Sequence, residues 1–132
     1  MEAFRANRFV WDEIAKIVCA IGNHDESTAY PVNELCAALI LADKSDVRRS
    51  RVRNRDKSTF DIHDRVNYSV KESHLEIDGE RTKIVLKLEI DTQYGSVMDY
   101  FEIFLGRMIL CRKAADRLGL RFKLIINDQQ LI

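Results

Sequence analysis

The chain is poor in the residues that mark many specialised proteins. Its 132 residues include one proline, five glycines and three cysteines. The glycines are scattered, which excludes a glycine-rich loop that cradles phosphates. No run of about 18 apolar residues exists, and the first ten residues lack the apolar centre of a signal peptide. These absences predict a cytoplasmic protein that does not contact a membrane.

The three cysteines are Cys19, Cys36 and Cys111, each inside an apolar stretch. An odd number with no C-x-x-C pair argues against a disulfide framework or a zinc site. Buried free thiols in a reducing compartment are the expected state. We predict no metal and no cofactor for this chain.

Bulk composition is that of an ordinary globular protein. Apolar residues make up 46% and charged residues 32%, and the formal net charge is zero. A chain of this length suits one domain with its own core, spanning residues 1–132. The charge balance favours neither nucleic acid nor an anionic membrane as a partner of the whole surface.

Helical periodicity dominates the first third of the chain. Val10, Ile14, Ile17 and Ile21 recur at the spacing of one helix face, which predicts a helix over residues 8–22 that ends at Gly22-Asn23. Pro31 suits the first position of a second helix, which extends to about Ala42.

The clearest local signal is a β-hairpin within residues 66–92. Asp78-Gly79, flanked by alternating residues, predicts a two-residue turn that places Ile77 opposite Glu80. In that register Val66, Tyr68 and Val70 fall on the polar face, so we predict a β-bulge near residues 71–73 that returns them to the core.

Residues 96–118 predict the longest helix, with Ser96 as its N-cap, and residues 120–127 a further strand. The helix is apolar around most of its circumference and must be covered on more than one side. Either the N-terminal helices or a second subunit could supply that cover. The second alternative predicts a homodimer whose interface contains Phe101, Phe104, Leu105 and Met108.

These elements predict an α+β fold. Two N-terminal helices, an exposed basic segment, a β-hairpin, a long helix and a C-terminal strand would form a two-layer domain.

Residues 22–26 read Gly-Asn-His-Asp-Glu and resemble one motif of the metallophosphoesterases. That family needs several further motifs to assemble two metals, and the remaining sequence contains none of them. We therefore interpret Gly22-Asn23 as a helix end and the following residues as a solvated loop.

A basic segment separates the helices from the hairpin. Residues 44–57 contain seven basic and two acidic residues, a net charge of +5, so the rest of the chain carries −5. The segment shows no apolar face for either a helix or a strand, which predicts an exposed, mobile arm. Guanidinium groups match phosphate oxygens, so the predicted nucleic-acid-binding residues are Arg48, Arg49, Arg51, Arg53, Arg55 and Lys57.

DNA or RNA would be the partner of such an arm, and binding would weaken with salt. A solvated surface, or a contact with a partner subunit, is the alternative. No aromatic residue lies within the segment, which argues against a base-stacking platform.

Helices 8–22 and 31–42, a third helix at 45–57 and the hairpin together resemble a winged helix-turn-helix domain. The resemblance implies DNA binding through residues 45–57. The segment has few apolar anchors for a recognition helix, and the hairpin tip "EIDGER" carries no net positive charge.

An enzyme remains a further alternative. Glu89 and Asp91 share a predicted strand face, where carboxylates could hold Mg²⁺, and Asp61 to Asp64 could supply a base with an orienting acid. We predict a non-enzymatic nucleic-acid-binding protein, with a homo-oligomeric interaction module and a small enzyme as alternatives.

Overall fold

An α+β arrangement is observed, as the sequence predicts. The computed structural model describes residues 2–25 and 27–132, with side chains described from Val10 onward. Within these residues the helices are α1 (Glu2–Gly22), α2 (Glu34–Ser45), α3 (Ile62–Ser69) and α4 (Val97–Arg117). The strands are β1 (Val70–Ile77), β2 (Lys83–Ile90), β3 (Arg121–Ile126) and β4 (Gln129–Gln130), and short 3₁₀ turns cover Arg49–Arg51 and Lys57–Thr59.

The two N-terminal helices form where the apolar periodicity predicts them. α1 ends at Gly22, and the Asn23 side chain donates to the carbonyl of Cys19 at 2.8 Å. α2 begins at Glu34 and not at Pro31 as predicted, because Asn33 supplies its N-cap. The Asn33 Oδ1 accepts a hydrogen bond from the Cys36 amide at 2.7 Å. A side-chain acceptor satisfies an amide that a helix N-terminus otherwise leaves without a partner.

The sheet is open, with strand order β1-β2-β3-β4. β1 and β2 are antiparallel, and α4 connects β2 to β3, which lies parallel to it. The predicted two-residue turn at Asp78-Gly79 is wrong, because Ile77 pairs with Ile84 and not with Glu80. The observed partner of Ile77 lies four residues further along the chain than the predicted one. Four is an even number, so the paired side chains of β1 and β2 keep their predicted faces.

The predicted β-bulge is confirmed, since the register shifts between Val70 and Glu72. The strand does not extend further back, however. Val66 and Tyr68 belong to α3, whose N-cap Asp61 accepts a hydrogen bond from the Asp64 amide at 2.7 Å. Val66 reaches the core from a helix instead of from a strand.

A two-residue hairpin does occur, at the other end of the sheet. Ile126 pairs with Gln129 across Asn127 and Asp128, which have φ angles of 49° and 64°. Positive φ at both central residues is the requirement of a type I′ turn. The Asn127 side chain accepts from the Ile90 amide and donates to the Ile90 carbonyl, at 2.8 and 3.1 Å, which ties the turn to β2.

α4 packs against α2 and against the sheet, and these two contacts account for most of its apolar circumference. A capping box of Ser96 and Asp99 begins the helix, as predicted for Ser96. Phe104 and Met108, two of the predicted interface residues, are 2% and 3% exposed within this one chain. α2 therefore supplies part of the second cover, while Met98 and Ile109 stay exposed. Leu105 stays exposed and Phe101 is half-buried.

The core lies between the helices and one face of the sheet. Ile84, Leu86, Leu88 and Ile90 point inward from β2, while Lys87 and Glu89 point to solvent on the opposite face. This alternation is typical of a sheet covered on one side. Across the described part of the chain, every helix is too short or too polar to cross a membrane.

Candidate nucleic-acid interface

The basic segment, residues 44–57, is attached to the body of the protein along its length. Val47 is fully buried, and the Ser73 hydroxyl donates to the carbonyl of Ser45 at 2.6 Å. A 3₁₀ turn at Arg49–Arg51 and extended backbone after it replace the third helix of the winged helix-turn-helix resemblance. The predicted mobile arm is also wrong, because the segment makes defined contacts with α3 and β1.

Arg49 anchors the segment. Its guanidinium lies over the Tyr68 ring, with Cζ 4.3 Å from the ring centroid, and its Nε donates to the Tyr68 carbonyl at 2.8 Å. The Asp91 carboxylate is 3.6 Å from Nη2. Planar stacking combined with directed donors is a property of arginine that lysine does not share. Arg49 therefore holds the segment in place, and only part of its side chain remains accessible.

Lys57 approaches the same ring from the end of the segment. Its Nζ lies 4.8 Å from the Tyr68 centroid and 5.3 Å from that of Tyr94. Tyr68 contacts Tyr94 edge-on at 4.8 Å and Phe60 at 5.4 Å. We call Arg49, Lys57, Phe60, Tyr68 and Tyr94 the Tyr68 cluster.

The two cations change the acidity of the Tyr68 phenol. A side-chain hydrogen bond with Lys57 lowers the pKa of Tyr68, and the charges of Lys57 and Arg49 add to this effect. The same hydrogen bond raises the pKa of Lys57. A lysine with a raised pKa keeps its positive charge across the physiological range.

Arg48 and Arg51 share a single carboxylate. Arg48 Nε donates to Asp46 Oδ1 at 2.9 Å, and Arg51 Nη1 lies 3.5 Å from Asp46 Oδ2. One negative charge thus offsets two positive ones, and both guanidiniums remain exposed. Exposed ion pairs of this kind are weak and exchange readily for another anion.

Arg53 and Arg55 are exposed, and neither forms an ion pair or a hydrogen bond with any residue that the structure describes. Their orientation follows from the residue between them. The Asn54 side chain donates to Thr59 at 3.0 Å and to Asp64 at 3.3 Å. Exposure alternates along the segment, since Val52 and Asn54 are half-buried whereas Arg53 and Arg55 are exposed, so the held Asn54 leaves both arginines facing solvent.

The six predicted binding residues therefore divide into two roles. Arg48, Arg51, Arg53, Arg55 and Lys57 lie exposed along one continuous segment. Arg49 is a positioning residue beneath that segment. The result is a row of basic side chains on a backbone fixed by tertiary contacts.

The residues of the other candidate sites contact separate neighbours and do not come together in one site. His24 is bonded through Nδ1 to the carbonyl of Ile21, just after the end of α1. Glu26, the last residue of the metallophosphoesterase-like motif, lies outside the described residues. Asp91 faces Arg49, while Glu89 lies 3.6 Å from Lys71. Over residues 2–25 and 27–132 no group of three or more metal-ligating side chains is found.

Sequence reasoning missed the aromatic part of this site. Tyr68 lies on α3, and Tyr94 follows β2, so neither is near the basic segment in the chain. The structure brings both to Arg49. No local pattern indicates this contact, because it depends on how α3 folds back beside the segment.

The chain matches no family model, and neither the curated proteins nor the solved structures include a significant match to it.

Proposed function

We propose that this chain binds the phosphate backbone of DNA or RNA, without catalysing a reaction, through the exposed side of its basic segment. The observation that carries the proposal is the row of Arg48, Arg51, Arg53 and Arg55 on an anchored backbone. Arginine presents a planar fork that matches two phosphate oxygens at once. The partner class thus follows from the chemistry of these guanidiniums.

Anchoring supports the proposal because a fixed segment loses less entropy on binding. A disordered arm must be ordered when it meets its ligand, which lowers its affinity. Here Arg49 and Asn54 already hold the backbone. Arg53 and Arg55 lose no ion pair within the described residues when they meet a phosphate.

The aromatic rings of the Tyr68 cluster are already covered by side chains of the protein. Arg49 and Lys57 lie against these rings, so stacking with nucleic-acid bases is not the main contribution to binding. Recognition by backbone charge carries little sequence information. The expected behaviour is binding to many sequences with a strong dependence on salt.

Fluorescence anisotropy with labelled duplex DNA and single-stranded RNA tests the proposal. The double variant Arg53→Ala/Arg55→Ala is compared with the unchanged chain from about 50 to 200 mM salt. Each lost phosphate contact should reduce the slope of log affinity against log salt by about 1, so we expect a reduction of about 2.

The matched control is Arg112→Ala/Arg121→Ala, which removes two exposed arginines from α4 and β3. This variant loses the same charge as the first one. It therefore distinguishes an effect of the basic segment from an effect of the net charge of the whole molecule. Equal loss of affinity in both double variants would contradict a localised interface. Absence of binding at 50 mM salt to either ligand would end the proposal.

A homo-oligomeric interaction module stays the second proposal, supported by exposed apolar side chains on α1. A cytoplasmic location also stays a proposal, supported by three cysteines that are free thiols. The enzyme alternative gains no specific observation, so we do not develop it.

A further inference from the structure

α1 carries an apolar stripe that the rest of its own chain leaves uncovered. We call this the α1 stripe, and its members are Val10, Trp11, Ile14, Ile17, Val18 and Ile21. Their exposed fractions range from 41% for Ile14 to 68% for Trp11. Its spacing is that of a helix face that is usually buried.

The geometry of α1 explains why the stripe is exposed. From Val10 to the end of α1, Ala20 is the buried residue, and the Cys36 thiol lies 3.7 Å from its carbonyl. At about 100° per residue, Ala20 lies about a third of a turn from the centre of the stripe. Contact with α2 therefore uses a different side of the helix. Every residue from Val10 to Cys19 is exposed.

The exposed apolar area of the stripe is large for a solvated surface. The six side chains expose on the order of 600 Å², the upper limit for the largest apolar patch of a typical monomer. A standard interface buries about 800 Å² on each partner. Two such stripes together reach the lower end of the ~1,200–2,000 Å² that specific interfaces bury in total.

The spacing of the stripe fits a second copy of the same helix. Val10, Ile14, Ile17 and Ile21 are separated by four, three and four residues, which is the heptad spacing of paired helices. In a two-fold symmetric pair, the stripe of one copy packs against the same stripe of the other copy, so apolar side chains contact apolar side chains.

Charge argues against a membrane surface as the occupant. Residues 2–22 contain three acidic and three basic side chains, so the helix carries no net positive charge. Helices that lie on anionic lipid are rich in lysine and arginine on their polar face. On α1 the exposed Asp12 and Glu13 oppose such a surface.

We propose that two copies of this chain associate through the α1 stripe. This inference does not depend on the proposed nucleic-acid binding, because it uses different residues and a different observation. Association would cover the apolar surface and stabilise a helix that few contacts support within one chain. It would also place two basic segments in one particle.

Sedimentation equilibrium of the full chain, without nucleic acid, tests the proposal. We expect a mass of twice 15.4 kDa at micromolar concentration. Ile14→Glu would bury two unpaired carboxylates per dimer and should raise the dissociation constant by at least about 100-fold. Lys16→Glu, on the opposite side of α1, is the control and should remain a dimer.

Trp11 supplies a second, independent measurement, because it is the single tryptophan of the chain and lies in the stripe. Dilution of the unchanged protein should separate the two copies and expose Trp11 to water, so its fluorescence emission should shift to longer wavelength. In Ile14→Glu the emission should lie at that longer wavelength at all concentrations. Circular dichroism establishes that the variant keeps its helices. A monomeric unchanged protein at about 100 µM, or a dimeric Ile14→Glu variant, would overturn the proposal.

Discussion

At the scale of single residues, two positions decide how local segments fold. Arg49 converts a charged run into an attached segment, because its guanidinium both stacks on Tyr68 and donates to the Tyr68 carbonyl. Asp78 determines the hairpin connection. Its Oδ1 accepts hydrogen bonds from the amides of Thr82 and Lys83, at 2.7 and 3.0 Å, which closes a loop longer than two residues.

Asp78 makes a pH-dependent contribution to stability. Hydrogen bonds from the Lys83 amide and the Thr82 hydroxyl lower the pKa of the Asp78 carboxyl. Because the folded pKa is below the unfolded value, near 3.9, this contribution is present above that value and is lost as the pH falls through the folded pKa. Urea unfolding should show Asp78→Asn less stable than the unchanged protein at pH 7.

The difference between the two proteins should shrink as the pH is lowered below about 3.9. A difference that stays constant with pH would mean that the charge of Asp78 does not contribute. Asp128→Asn, at another turn, is the matched control for the removal of one exposed carboxylate.

At the scale of elements, two neighbouring apolar residues of α4 differ in their exposure to solvent. Phe104 is in the core and Leu105 is 52% exposed, although both are apolar in the sequence. α4 packs against α2 on one side and against the sheet on another. Packing on two sides explains why apolar residues occupy most of its circumference, whereas it leaves Met98, Leu105 and Ile109 exposed.

Substitutions at these two positions test that assignment. Phe104→Ala should lower the free energy of unfolding by about 3–5 kcal/mol, because it leaves a cavity in the core. Leu105→Ala should change it by less than about 0.5 kcal/mol. Chemical denaturation of both variants gives the comparison. If Leu105→Ala altered the mass of the assembly, the interface predicted on α4 would regain support.

At the scale of the whole molecule, charge and apolar surface are distributed unevenly. The basic segment carries +5 in a chain of zero net charge, and the α1 stripe concentrates exposed apolar area on one helix. The two features lie on different elements. The proposed association with a second copy and the proposed binding of a polyanion would therefore use separate surfaces.

Thiol reactivity reports on this arrangement of the whole chain. Cys19 is exposed, whereas Cys36 and Cys111 are buried, and burial raises the pKa of Cys111 to about 12. Since the thiolate is the reactive form, a disulfide reagent should modify one thiol quickly in the native protein and three in denaturant. Rapid reaction of all three in the native protein would contradict the core described above.

Cys19 also lies about 140° around α1 from the centre of the stripe, at about 100° per residue. Association through the stripe should leave its reactivity unchanged. Protection of Cys19 at high protein concentration would indicate that a different side of α1 is covered.

Local patterns in the sequence determined most elements. The apolar spacing of α1, the Ser96 cap of α4 and the bulge after Val70 are each decided by residues close together in the chain, so each was predictable. The inward face of β2 was also predictable, because strand alternation survives any even change of register. Only the tertiary structure decided which strands pair, with β3 parallel to β2.

The candidate site was predictable in its charge and not in its geometry. The arginines are visible in the sequence as a run, but the contacts of Arg49 with Tyr68 and Asp91 join residues at least 19 positions apart. The burial of apolar residues likewise depends partly on the sequence and partly on the tertiary structure. A repeat at helix spacing shows that α1 has an apolar face, whereas packing of Ala20 against α2 decides that this face is exposed in the single chain.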